Sequence, residues 1–192
     1  VSELGSALEE IGFAIITNHG IDPNLYHKAE QKIIGFFEET TFEERMKYEA
    51  QRFGSVNQGY FPMKTTTIIH PDLVEGWVFC RRAFDVVNNL NYNETDFWPL
   101  SGYEPFFRQV VIAQEKLILP LMQSMLTYLG TDPHCFDQKL TNTNFGFRLN
   151  YYPPMTQEEL DSGGGRMLGH EDIDLFTILP SQSIEGLQVL NR

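Results

Sequence analysis

The sequence predicts an α+β protein, or a β-barrel with a helical flank, in which helices come first and strands follow. Apolar residues recur at helical spacing in several stretches up to Leu129. After Thr143 the pattern changes to apolar–polar alternation, the period of a strand. Helices and strands do not alternate in the βαβ manner of a doubly wound sheet. With 192 residues, 42% of them hydrophobic and 13% aromatic, the chain can bury a real core and is globular, not disordered. Its length suggests one domain, or at most two small ones.

Ser2 is a candidate cap for a first helix, whose Leu4, Ala7, Leu8 and Ile11 share a face. Gly12 ends it, and residues 13–17 read as a short buried strand. Asn18-His19-Gly20 makes a turn, after which Asp22 caps and Pro23 opens a second helix. That helix carries Leu25, Ala29, Ile33, Phe36 and Phe37 on one face and ends near Thr40, with a further helical stretch at 42–49. Between Gln51 and Asn93 the pattern is less regular, and strands are expected at 65–69 and 77–79. The longest helix is expected over 103–129, burying Phe107, Val110, Val111, Leu117, Leu121, Met125 and Leu129, with a kink at Pro120 and Gly130 as its C-terminal cap. This stripe, with the methionines at 122 and 125, is core packing and no cofactor box.

The stretch TNTNFGFRLNYYPP alternates. Phe145, Phe147, Leu149 and Tyr151 fall on one face; Gly146, Arg148, Asn150 and Tyr152 fall on the other. Its default reading is a half-buried strand with a solvated polar side. The sharper reading is a strand of a closed β architecture whose polar face lines a ligand cavity. A guanidinium, an amide and a phenol in one row suit a carboxylate ligand. Pro153-Pro154 ends the strand, and a polar, glycine-rich loop at 156–165 leads on to His170 and Asp172, at the head of an apolar run expected to form a strand at 175–179. Residues i and i+2 of an extended chain point the same way, so His170 and Asp172 face one side and Glu171 the other. An imidazole and a carboxylate presented together supply two ligands of the 2-His-1-carboxylate triad that holds non-haem Fe(II). The plain alternative is a surface histidine followed by an acidic turn. A rival triplet, His70-Pro71-Asp72, carries less weight: its proline removes a ladder donor, and Asp72 reads as a cap. A turn at 180–185 and a further strand at 186–190 close the chain.

Lys and Arg number 14 against 26 Asp and Glu, a net charge of −12, so phosphate backbones and anionic membrane surfaces are poor partners. An anionic small molecule must be met by a local Arg or Lys. Cys80 and Cys135 lie far apart without metal-type spacing and read as reduced, structural thiols of a cytoplasmic protein, with a single disulfide between them as the alternative. No apolar run approaches the ~18 residues of a membrane span, and no signal peptide opens the chain.

Four stretches together, EEIGFAIITNHGI, GFRLNYYPP, LGHEDIDLFTIL and EGLQVL, resemble in order and spacing the non-haem Fe(II), 2-oxoglutarate-dependent dioxygenases, in the branch that contains isopenicillin N synthase and the plant flavonoid and gibberellin oxygenases. Weaker support comes from FFEETTFEERMKY, GYFP and the segment from Trp98-Pro99 to Phe107-Arg108. The resemblance implies a double-stranded β-helix, or jelly roll, flanked by helices. Residues 1–100 then form its N-terminal helical and strand region, not an independent domain, and 101–192 the long helix with the first part of the jelly-roll core. It implies His170 and Asp172 as iron ligands and catalytic residues, and Asn150 and Tyr152 as contacts of 2-oxoglutarate. Arg148 occupies a slot that is often basic in relatives. The Asn18-His19-Gly20 turn is implied to be structural.

The implied reaction consumes dioxygen and 2-oxoglutarate, releases succinate and carbon dioxide, and hydroxylates, desaturates or cyclises a small organic molecule. An oxidase that works without 2-oxoglutarate and a non-catalytic binding module are the competing readings. The family's second iron-binding His and an Arg-x-Ser motif that holds the distal carboxylate are expected several dozen residues beyond the His-x-Asp segment. None of His19, His27, His70 or His134 sits in the matching motif. The chain therefore reads as most of a longer enzyme, incomplete at both ends and inactive alone.

Overall fold

The computed structural model describes residues 1–53, 56–63, 72–84, 97–98, 100–141, 143–172 and 174–190. Among them are helices α1 (Ser2–Glu10), α2 (Pro23–Glu39), α3 (Phe42–Met46), α4 (Tyr103–Tyr128) and α5 (Gln157–Asp161). The strands are β1 (Gln51–Phe53), β2 (Val56–Phe61), β3 (Glu75–Cys80) and β4 (Gly146–Tyr151). They form one antiparallel sheet in the order β1-β2-β3-β4. The α+β reading holds at this level, but not the expected order of helices first and strands afterwards: β1, β2 and β3 precede α4. The chain divides into two compact units, Val1–His27 with Phe107–Thr143 and Ile178–Arg192, and Lys28–Phe106 with Asn144–Thr177.

In the first unit, Val1 takes the cap position of α1 and makes no side-chain cap bond, so Ser2 lies inside the helix instead of capping it. Gly12 ends α1 as expected: at φ 79° its N–H reaches the carbonyls of Ala7 and Leu8. Gly5 lies under the Tyr128 ring, where an added Cβ would sit 2.1 Å from ring carbons. The Tyr128 hydroxyl donates to Glu9. In the turn that follows, His19 Nδ1 accepts from the Ile21 N–H at 3.2 Å, a side chain tying down backbone. Asp22 caps α2, accepting from the Asn24 N–H at 2.9 Å.

The strands expected at 13–17 and 186–190 do not form. A strand exists only with a ladder partner, and no described strand pairs with either segment. Ile15 is 84% exposed as a result. In α4, Phe107, Val110 and Val111 are buried as expected, but the stripe then continues through Gln114, Met122 and Leu126, leaving Leu129 exposed. Met122 and Leu126 thus take the places expected for Leu121 and Met125, one position on.

In the second unit, α2 lies over the sheet. Phe36 packs against Trp77 with ring centroids 4.9 Å apart, and Phe37 stacks on Tyr151 at 5.0 Å. Phe79 stacks on Phe147 across the β3–β4 ladder. Trp77, Tyr60, Phe36, Phe79, Phe97 and Leu149 are among the most deeply buried side chains. The apolar row of β4 thus faces the helix, as its alternation requires. Helix α3 begins with a capping box, Thr41 with Glu44, and stops at Met46, short of the expected 42–49. Beyond it the chain is drawn into the sheet: the Tyr48 carbonyl accepts from the Tyr60 N–H and the Ala50 N–H donates to the Tyr60 carbonyl.

That approach needs Gly59. Its φ is +128°, and a Cβ there would lie 2.3 Å from the Tyr48 carbonyl oxygen and 2.8 Å from the Ala50 Cα. Gly59→Ala is expected to destabilise the protein by about 3 kcal/mol or more, read as a lower urea midpoint. A midpoint unchanged from wild type would contradict this packing.

Arg45 of α3 is nearly buried. Its Nη1 donates to the carbonyls of Phe37 and Thr40, and its Nη2 pairs with Glu75 Oε2 at 3.1 Å. The Tyr60 hydroxyl donates to the same carboxylate oxygen. Burial, reinforced by Glu75, pushes the Tyr60 phenol up to about 12, so it remains a donor. Cys80 is buried and Cys135 exposed, and neither is in a disulfide. Among the described residues no helix is long and apolar enough to cross a membrane. The strand expected at 65–69, with His70 and Pro71, lies outside the described residues.

Candidate active site

Strand β4 sets its polar residues by register: Arg148 lies opposite Val78 and Asn150 opposite Gly76. Gly76 leaves room for Arg148, whose Nε would be 3.1 Å from a Cβ added there. Loss of water around the guanidinium lowers the Arg148 pKa, against the charges of Tyr152 and Asp72. Tyr152 follows the last ladder residue and is 38% exposed. Partial burial raises its phenol pKa; Arg148, a bond from Asn150, and Arg166 oppose the rise. The Asn150 amide oxygen is buried without a partner among the described residues. An amide can be turned end for end at little steric cost, so this position can also present N–H donors. A cation, a phenol and an amide whose oxygen lacks a partner therefore share one face, which suits a carboxylate ligand.

The second group lies beyond α5, the short helix whose Thr156–Glu159 capping box replaces the start of the expected loop. His170 Nε2 lies 3.4 Å from Asp172 Oδ1. The pair converges as its i, i+2 spacing implies, but not within a strand. The chain bends at Asp174 and Leu175, and Thr177 Oγ1 returns to donate to Asp172 Oδ2. The strand expected at 175–179 is absent, since no described strand pairs with that segment.

His170 Nδ1 lies 2.9 Å from the Leu168 carbonyl. A carbonyl only accepts, so Nδ1 is the donor of this contact, and Nε2 is the nitrogen that faces Asp172. A ring orientation fixed by an outer carbonyl is what a metal-binding histidine requires. One ion touching each donor at about 2 Å can span the gap between Nε2 and Oδ1. These two residues fit two ligand positions of an iron ion. Among the described residues no third His, Cys, Asp or Glu completes such a group.

The structure brings His170 to Asp172 and groups Arg148, Asn150 and Tyr152. Residues 165–168 run between the two groups, and the sequence reading gave Arg166 no role. The Leu73 N–H donates to the Gly165 carbonyl at 2.9 Å, and the Leu168 N–H reaches Asp72 Oδ1 at 3.4 Å. Arg166 donates from Nη1 to the Tyr152 carbonyl and from Nη2 to the Pro153 carbonyl. The only signal in the sequence was a charged residue in a glycine-rich loop close before the His-x-Asp triplet. Asp72, read there as a cap, holds this loop.

Comparison with known proteins adds an independent line. Residues 1–101 match the family model described as non-haem dioxygenase in morphine synthesis N-terminal. The chain is 28% identical to gibberellin 20 oxidase 3 of Arabidopsis thaliana, over 97% of this chain and 49% of that protein. It is 26% identical to deacetoxyvindoline 4-hydroxylase of Catharanthus roseus, over 99% of this chain and 45% of the other. The chain spans about half the length of the relatives it matches. In fold it is similar to a full-length Neurospora crassa protein solved in complex with alpha-KG, with a TM-score of 0.59 and 18% identity over 78% of this chain and 47% of that one.

Proposed function

Since this chain belongs to the non-haem dioxygenase family through the N-terminal region matched over residues 1–101, we propose that it serves an Fe(II)- and 2-oxoglutarate-dependent oxygenase acting on a small organic molecule. The observation that carries this reading is the His170–Asp172 pair, with Nδ1 donating to the Leu168 carbonyl. When bound, iron with 2-oxoglutarate supplies the dioxygen-dependent oxidation of a C–H bond, with release of succinate and carbon dioxide.

The chain's own residues do the rest. His170 and Asp172 hold the ion through Nε2 and Oδ1. Thr177 satisfies the other carboxylate oxygen and keeps Asp172 turned toward the histidine. Arg148 provides positive potential in a protein whose net charge is −12, where an anionic oxo acid is otherwise repelled. Tyr152 and Asn150 orient that acid by hydrogen bonds. In this reading β4 belongs to a double-stranded β-helix, with its apolar face against the flanking α2 and its polar face inward. The extent of the family match supports a boundary near residue 100, with 1–100 as the N-terminal region and 101–192 as the long helix and the start of the core. Hydroxylation is the expected outcome, with desaturation or ring closure as variants. Two cysteines outside any disulfide support a cytoplasmic location.

Succinate formation by the full polypeptide, dependent on Fe(II) and 2-oxoglutarate, tests the reading. Dioxygen uptake without succinate would point to an oxidase that needs no oxo acid. Tyr152→Phe removes a charge-assisted donor worth roughly 1.5–3 kcal/mol, so the KM for 2-oxoglutarate should rise about ten- to a hundredfold. Fe(II) affinity should stay near wild type. Tyr151→Phe keeps the ring that stacks on Phe37 and should change neither. The reverse pattern would invert the assignment of faces.

A further inference from the structure

The ladder of β4 ends at Tyr151, opposite Glu75, so Tyr152 has no β-ladder partner to fix its backbone. Pro153 and Pro154 follow, and neither has an N–H to donate. The segment that bears the phenol is therefore held from outside the sheet. Arg166 supplies that hold with two donors of one planar guanidinium, Nη1 to the Tyr152 carbonyl at 3.1 Å and Nη2 to the Pro153 carbonyl at 2.9 Å. Its own backbone is fixed in turn. The Leu73 N–H reaches the Gly165 carbonyl, the Leu168 N–H reaches Asp72, and Met167 between them takes φ 59°, a conformation costly for a side chain without surrounding constraint. The carbonyl of Leu168, in this same loop, orients His170.

We infer that Arg166 is a positioning residue for 2-oxo acid binding: it fixes the end of β4, and with it the Tyr152 phenol, to the loop that orients the His170 imidazole. The inference rests on the proposed reading of Tyr152 as an oxo-acid contact. Arg166 touches no reacting atom and acts through backbone carbonyls. A surface arginine that only satisfied two carbonyls would affect stability and leave ligand affinity unchanged.

The test is a calorimetric titration of 2-oxoglutarate into the full polypeptide loaded with Mn(II), which measures binding without turnover. Arg166→Ala is expected to weaken the oxo acid about tenfold, the scale of losing a residue that orients a ligand-binding group. Arg166→Lys keeps the charge but not the fork and should lose about threefold. The double variant with Tyr152→Phe should bind no worse than the weaker single variant, because both changes remove the same positioned phenol. Arg166 is exposed, so the melting temperature should stay close to wild type. If Arg166→Ala nevertheless fails to fold, the lysine variant and its double with Tyr152→Phe decide the matter. An affinity within twofold of wild type for the Arg166 variants, with Tyr152→Phe impaired, overturns this inference alone. So does a double variant whose loss is the product of the two single losses. A neutral Tyr152→Phe overturns the underlying site reading and this inference with it.

Discussion

Asp172→Ala in the full polypeptide is expected to abolish turnover and to weaken Fe(II) binding by at least about a hundredfold, while Asp174→Ala leaves the metal in place. Direct loss of a ligand should cost at least as much as loss of the outer partners that orient one, which is about ten- to a hundredfold. Asp172 Oδ1 faces His170 Nε2 at 3.4 Å, and Thr177 holds the other oxygen, so the carboxylate is already turned toward the imidazole. Asp174 lies at the bend that follows. The two variants are compared by anaerobic metal titration and by succinate formation. Metal loss on Asp174→Ala with retention on Asp172→Ala would transfer the ligand role to Asp174.

Glu75→Gln should cost about 3 kcal/mol of stability, since it leaves the Arg45 guanidinium charged and nearly buried without its counter-ion. The expectation rests on burial. The side chains of Arg45 and Glu75 are 9% and 13% exposed, so water can replace little of the lost interaction. The Tyr60 hydroxyl, kept protonated by its surroundings, can still donate to the glutamine carbonyl, so the loss is largely that of the ion pair. Urea denaturation of the full polypeptide measures it, and a change below about 1 kcal/mol would show that the pair behaves as a solvated surface contact.

Local chemistry was legible in the sequence where one residue decided the outcome. Gly12 ended α1, Asp22 and Pro23 opened α2, and the alternation around Leu149 gave the two faces of β4. The faces are fixed, because a shift of one residue would have turned Phe147, Leu149 and Tyr151 away from α2, but the pairing of β4 with β3 was not legible. Strands at 13–17, 175–179 and 186–190 were expected from composition alone, but a strand is a property of two segments and their neighbours were not specified. The β1–β2 hairpin was missed for a related reason. Its polar Asn57 and Gln58 break the apolar pattern, and Gly59 answers to the Tyr48 backbone, a contact that no local window contains. At the site, residue types marked out His170, Asp172, Asn150, Tyr152 and Arg148. The contacts of Leu168, Arg166 and Asp72 use backbone groups at one or both ends, and side-chain chemistry cannot announce those.

The β3–β4 ladder also bears on the order in which the protein assembles. It joins Cys80 to Gly146 across a long intervening chain that contains all of α4, whereas β2 and β3 are much closer in sequence. Closing so long a loop costs chain entropy before any ladder contact is gained, which makes such pairings slow. The face bearing Arg148 and Asn150 is then among the last parts of this unit to form. Until β4 docks, β3 presents Trp77, Val78 and Phe79 along an open edge, a template for pairing with another chain. Self-association during refolding is thus built into the same connectivity that places the polar face of β4.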